Sequence, residues 1–379
     1  MMVQPLTTFS AANEESGGLA SSAPARGMKI VGIGAGIPLV FEALGGDFSA
    51  LCAECGVDPE TFSDPRNIIA VEVFARILHL GARRLNVPCF GLMVGARMEV
   101  AWLGVLGEAM RVCDTLGEAL RLLDAHFQVN TRGLRLQFHE ERDAGYLALG
   151  LYEPLQQGAA QSLDIAVAAA VQLVRKICDT NIAPLEVRLP RRRPPDIEPY
   201  RAILRCPVRF DAPEAVIAFR PESLVRRLPG ANPALRAALE RLMRQREAAE
   251  PLGFEEELRR TVRPGIIGGR VFSDAVAGQF SVDRRTMNRR LSADGKSFKN
   301  VVEDLRYSLA CQLLDDTNLP LAEIAAALEF AEAASFTRAF HRWSGMAPGV
   351  WRSRKAASRL DDRADVTEER PAGSQSIAP

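Results

Sequence analysis

Arg285, Asn288 and Arg289 lie close together in the run Val271–Leu291, VFSDAVAGQFSVDRRTMNRRL. Side chains of these types can read the edges of base pairs. A guanidinium donates two hydrogen bonds to guanine, and a carboxamide pairs with adenine in both directions. Met287 and Leu291 stand four apart, so a helix here turns both to a core. Rotation by about 100° per residue from Met287 carries Arg285, Asn288 and Arg289 away from that core. From Arg284 to Arg306 seven basic residues (284, 285, 289, 290, 296, 299, 306) face three acids (294, 303, 304). The whole chain balances 47 basic against 47 acidic residues, so positive charge is concentrated in this stretch, where phosphates would need it.

The elements around these residues are legible from apolar periodicity. Phe272, Val276 and Phe280 predict one buried stripe on a preceding helix. Ser281 is the expected N-cap of the next helix, with Asp283 in its first turn. Helix, short turn and helix with an outward Arg/Asn face is the layout of a helix-turn-helix unit whose second helix enters the major groove. Phe298, Val301, Val302, Leu305, Leu309 and Leu313 predict a third helix, a spacer of about 25 Å. A second unit follows from Pro320 to Trp343. Leu321, Ile324, Ala325 and Leu328 form its first stripe, and Phe336 and Phe340 the buried pair of its second helix. Ala333, Ala334, Thr337 and Arg338 are left partly outward.

These runs resemble the C-terminal domain of the AraC/XylS family of bacterial regulators. The first unit carries S-x-x-R-T-hydrophobic-x-R-R-L from Ser281 to Leu291, and the second carries I-A…L-x-F…S-x-F-x-R-x-F-x-R-W from Ile324 to Trp343. The closing G-x-x-P-x-x-x-R is Gly345, Pro348 and Arg352. The resemblance covers about 255–355 and implies two units on one spacer helix, reading successive major-groove segments of double-stranded promoter DNA. It puts Arg285, Asn288 and Arg289 at the DNA contacts of the first unit, and Ala333, Ala334, Ser335 and Arg338 at those of the second. One departure is Leu328-Glu329-Phe330 where the family has L-G-F. A left-handed turn there costs a non-glycine residue roughly 1 kcal/mol. With alanines at reader positions, the second unit is expected mainly to position the domain and the first to dominate specificity.

A chain of 379 residues with 47% hydrophobic content has material for two domains. The expected organisation is a loose arm over 1–27, a sensing domain over 28–250, the DNA-binding domain over 251–355 and a loose tail over 356–379. Helical periodicity runs from Pro38 to Val129. Leu134, Leu136 and Phe138 then alternate with polar residues, as do Leu147, Leu149 and Leu151 beyond Asp143-Ala-Gly145, which predicts a β-hairpin. A helix over 160–178, strands at 185–189, 208–210 and 216–219, and a helix over 233–248 with Leu235, Leu239 and Leu242 on one face complete the pattern. The fold class is thus an α+β sensing domain followed by an all-α domain with two helix-turn-helix units joined by a spacer helix. The N-terminal part resembles the sensing domain of the AraC subgroup of ornithine-utilisation regulators. That implies a small-molecule effector without assigning it any residue.

Other constellations carry less. The seven cysteines are odd in number and scattered, which suits reduced thiols in the cytoplasm. Cys52-Ala-Glu-Cys55 lacks a second pair at zinc spacing. Gly32-Ile-Gly-Ala-Gly36 fails G-x-G-x-x-G and is expected to be a flexible entry to the first domain. Arg191-Arg-Arg193-Pro-Pro is expected to be a solvated loop. Nothing in the sequence forms a catalytic set, a metal set, a cofactor motif or a membrane span. The reading is an effector-responsive transcription factor, with RNA polymerase as a further partner and a homodimer left open. The alternatives are an enzyme with a DNA-binding appendage, or a constitutive DNA binder whose first domain only dimerises.

Overall fold

The computed structural model describes residues 25–357, apart from 269–270 and 294. Most of the expected arm and tail, and Asp294, lie outside the described residues. No described helix is long and apolar enough to cross a membrane.

The N-terminal part is α+β. Strands β1 (Met28–Ile30) and β2 (Ile68–Ala70) pair antiparallel. The alternating segments form the hairpin β3 (Leu134–Glu140) and β4 (Gly145–Leu151), in the register Leu136↔Leu149 and Phe138↔Leu147. With β5 (Glu186–Arg188), β6 (Val208–Arg209) and β7 (Ala215–Phe219) they make one sheet in the order β3-β4-β7-β5-β6, antiparallel except for β5 against β6. The long helix Ala159–Ile177 crosses this domain and buries residues on most of its circumference, as its run of alanines, leucines and valines requires. Helix Phe90–Gly95 packs against it backbone to backbone. A Cβ on Gly91 would lie 2.4 Å from the Gln161 carbonyl oxygen, and one on Gly95 the same distance from that of Ile165.

The period of two in the hairpin separates two environments. Leu134, Leu136, Leu149 and Leu151 face a cavity on one side of the sheet. Gly150 faces the other side, where the guanidinium of Arg263 would lie 3.0 Å from an added Cβ. Arg263 belongs to helix Phe254–Gly268, which links the sheet to the C-terminal domain. One sheet thickness therefore separates the cavity from the linking helix.

The C-terminal part is helical. Helices Ser273–Gln279 and Arg284–Ser292 form the first unit, Phe298–Asp316 the spacer, and Leu321–Ala327 and Ala333–Ser344 the second unit. The spacer begins with a reciprocal capping box between Ser297 and Asn300. Its 19 residues span about 28 Å. Leu258, Val262 and Ile266 of the linking helix join Met287, Leu291, Val301, Leu305, Ile324, Phe336 and Phe340 in one core.

The two parts meet through specific contacts. Tyr152, at the end of β4, is buried in the C-terminal core and donates to Glu256 Oε1 at 3.3 Å. Arg132 donates to the Glu250 carbonyl at 2.6 Å and pairs with Glu256 at 3.5 Å. Arg263 donates to the Leu151 carbonyl at 2.8 Å and pairs with Glu214 at 3.5 Å. Burial opposes the charges of that last pair: desolvation pushes Arg263 down and Glu214 up.

Several expectations are corrected here. In the loop Arg191–Arg193 only Arg193 is exposed, and its two neighbours are engaged rather than solvated. Arg191 pairs with the buried Asp164, and the Arg192 guanidinium donates to the Asp315 and Leu314 carbonyls at the end of the spacer and to Asn318 Oδ1 at 2.9 Å. Gly32–Gly36 is a packed 3-10 turn rather than a flexible entry, since a Cβ on Gly34 would lie 2.5 Å from the Phe74 ring. On helix Pro233–Ala249, Leu235 is 45% exposed and Met243 is the buried residue. Arg26, within the segment expected as an arm, bridges Glu153 at 3.1 Å and Glu255 at 3.0 Å.

Candidate nucleic-acid interface and ligand cavity

Helix Arg284–Ser292 buries Met287 and Leu291 completely and leaves Arg285 and Arg289 exposed one turn apart. Its N-cap is Asp283, not Ser281: Asp283 Oδ1 accepts from the Thr286 N–H at 2.6 Å. That hydrogen bond holds the carboxyl below the usual carboxylate range. Ser281 instead occupies the turn, with φ +53°. Phe272 caps the preceding helix and is 68% exposed, so only Val276 of the expected stripe is fully buried and Phe280 is half-buried. Asn288 is half-buried. Its Nδ2 donates to the Arg284 carbonyl at 3.1 Å, and its Oδ1 accepts from the Phe298 N–H at 3.2 Å. Both ends of the carboxamide are thus engaged, the nitrogen within the recognition helix itself and the oxygen at the first residue of the spacer. Arg290 lies over the Phe254 ring, 5.3 Å from its centroid.

In the second unit Ala334 and Arg338 are exposed, and Ser335 is half-buried. Arg338 donates to Ser335 Oγ at 3.0 Å. Ala333 packs against the core instead of facing out. Glu329 takes the left-handed turn with φ +67°, as the departure from glycine requires. Its carboxylate pairs with Arg306 of the spacer at 3.2 Å, so the charge is held by the protein. Phe330, Phe336, Phe340, Trp343, Tyr307 and Trp351 form a continuous aromatic cluster beneath this unit.

The linking helix carries the charges that seat the first unit. Glu255 accepts from Arg26, from Arg259 at 2.8 Å and from Lys296, which follows the first recognition helix, at 2.6 Å. Burial raises its proton affinity, but the three cations prevail and hold the carboxyl at about 2. Arg259 also reaches Asp304 of the spacer at 2.8 Å.

Sequence reasoning missed the second feature, a cavity with an empty volume of about 880 Å³ including its mouth. It lies between β1, the hairpin and the long helix, and four of its lining side chains are polar: Lys29, Asn130, Thr131 and Ser162. Lys29 Nζ donates to the Ile30 carbonyl at 2.7 Å and the Val31 carbonyl at 3.2 Å, and lies 3.8 Å from the Phe74 ring centroid. Desolvation alone pushes its ammonium down to about 7. A lone lysine in the apolar run Met28-Lys-Ile-Val31 was the available signal. Cys52 and Cys55 are buried in a separate apolar cluster, and burial pushes the Cys52 thiol up to about 11.

Comparison with known proteins agrees with this division. Residues 45–228 match the arabinose-binding domain of AraC transcription regulators, and residues 276–354 match a helix-turn-helix domain. The chain is 29% identical over 310 residues to the ornithine utilization regulator of Pseudomonas aeruginosa, covering 80% of this chain and 90% of that protein. It is 23% identical over 320 residues to the regulator VirS of Mycobacterium tuberculosis, covering 81% and 94%. A crystal structure of the regulator CdpR of Pseudomonas aeruginosa aligns with a TM-score of 0.40 at 25% identity, over 83% of this chain and 98% of that one.

Proposed function

Since the chain is an AraC-type transcription regulator, with an arabinose-binding-type N-terminal domain and a helix-turn-helix C-terminal domain, we propose that Arg285 and Arg289 are its principal base readers. The observation that carries this is their exposure one turn apart on a helix whose opposite face is fully buried. Asn288 braces the recognition helix against the spacer. Arg338 of the second unit, with Ser335 and Ala334 beside it, follows the neighbouring groove segment. Ala334 is placed to meet a thymine methyl, while Ala333 serves packing. The spacer of about 28 Å is comparable to the roughly 34 Å between successive grooves on one DNA face.

The cavity is the effector site in this reading. Leu151 and Thr131 line it, and their chain neighbours Tyr152 and Arg132 hold Glu256 of the linking helix. A ligand that binds one arrangement of this wall more tightly than another shifts how the DNA-binding domain is presented. Chemistry is no part of this reading, which puts the protein in the cytoplasm with its DNA. Pairing of two chains through helix Pro233–Ala249 is supported by the exposure of Leu235. Contact with RNA polymerase rests on the family resemblance alone.

Fluorescence anisotropy of the full chain on its own upstream DNA, at several salt concentrations, tests the assignment. Arg285→Ala and Arg289→Ala should each weaken specific binding about tenfold or more and erase preference over random DNA. Undiminished preference in the double variant would remove the first recognition helix from the reader role.

A further inference from the structure

The chemistry of the cavity wall selects among effectors, and this step rests on the reading of the cavity as the effector site. From the wall's composition we infer that the cavity takes an amphipathic carboxylate, with an aliphatic body along the leucine wall and a single anionic head at Lys29. Three observations carry this. First, the body of the cavity is apolar: Leu134, Leu136, Leu149 and Leu151 of the hairpin face Ala166, Ala169 and Leu173 of the long helix. Second, the wall contains one formal charge and no carboxylate. Lys29 is held by two backbone carbonyls and an aromatic face, and among the described residues no acid offsets its desolvation. An ammonium so placed lacks a counterion that an acidic ligand would supply. Third, Ser162 on the same wall has a buried hydroxyl with no hydrogen-bond partner among the described residues. A buried unpaired donor of this kind is destabilising until something accepts from it.

The same accounting disfavours two other ligand classes. A pentose presents a hydroxyl on nearly every carbon, each needing a partner when buried. The wall offers four polar side chains, and Asn130 Nδ2 is already committed to the Leu103 carbonyl at 3.1 Å. A diamino acid brings two ammonium groups to a wall without a carboxylate to receive either.

Isothermal titration calorimetry on the full-length protein separates the possibilities, with octanoate, 1-octanol, L-arabinose and L-ornithine as probes. Octanoate should bind, and Lys29→Met should weaken it about tenfold or more while leaving 1-octanol within about twofold. Lys29→Met removes a poorly solvated charge, so it should fold. Ala166→Leu, which narrows the cavity, should weaken both aliphatic probes together. Equal binding of octanoate and octanol, unaffected by Lys29→Met but weakened by Ala166→Leu, would overturn the acidic head while keeping the cavity as a binding site. Binding of arabinose or ornithine in preference to octanoate would overturn the ligand class altogether. If none of the four binds and Ala166→Leu leaves operator affinity unchanged, the cavity is not the effector site and the underlying reading falls with the inference.

Discussion

The two helix-turn-helix units share a layout and divide the work differently. In the first, a recognition helix with few apolar residues shows arginines to solvent, is capped by the Asp283 side chain, and is seated through Lys296 on Glu255 of the linking helix. In the second, the recognition helix buries Phe336 and Phe340 in an aromatic cluster and has no side-chain cap at Glu332. Glu329, in the turn before it, pairs with Arg306 of the spacer. Burial of large rings fixes the second unit by packing, while the first depends on hydrogen bonds and ion pairs at its ends. The unit with the exposed arginine pair is thus the one held by the more adjustable forces. That suits a domain whose presentation is to be altered from the sensing side.

Substitutions in the two cores should show the largest difference. Phe340→Ala should cost about 4–5 kcal/mol in chemical denaturation, and Met287→Ala only about 2–3 kcal/mol. Equal costs would deny the second unit its role as the packed anchor. Acid should act on the first unit. Glu255 has a folded pKa of about 2, below its ordinary 4.5, so its contribution is complete above 4.5 and lost as pH falls toward 2. The stability gap between wild type and Glu255→Gln should therefore be widest near neutral pH and close between those two values. A gap that is flat with pH would dissolve the ion-pair account of how the first unit is seated. The caps come next. Asp283→Ala should lower the melting temperature measurably, whereas Glu332→Ala, which removes no side-chain cap, should lower it much less. The smallest effect belongs to Glu329→Gly: relief of left-handed strain of about 1 kcal/mol offsets loss of the Arg306 pair, leaving the melting temperature nearly unchanged.

What was legible in the sequence follows the range of the interactions involved. The hairpin, the long helix and the pairs Met287/Leu291 and Phe336/Phe340 are written in local periodicity. The left-handed position of Glu329 was legible only through the family resemblance, which puts a glycine there. The N-cap was displaced by two residues because Ser281 and Asp283 are both good caps. Only the tertiary turn decides which one takes φ +53° and which accepts from Thr286. Arg192 was misread because a helix C-terminus more than a hundred residues away supplies its acceptors. The outward angle of Asn288 is local and legible, whereas its acceptor bond to Phe298 crosses a loop and is not. The cavity was invisible for the same reason. Its wall draws Lys29, the hairpin and the long helix together from segments that show no common pattern.

The most direct test of the central claim is a base-by-base substitution map of the operator, measured with the wild type, Arg285→Ala/Arg289→Ala and Arg338→Ala. The account predicts that the double variant loses discrimination across one half of the site. Arg338→Ala should weaken binding more evenly and keep most of the map. A map that collapses with Arg338→Ala and survives the double variant would contradict it, and would make the second unit the reader.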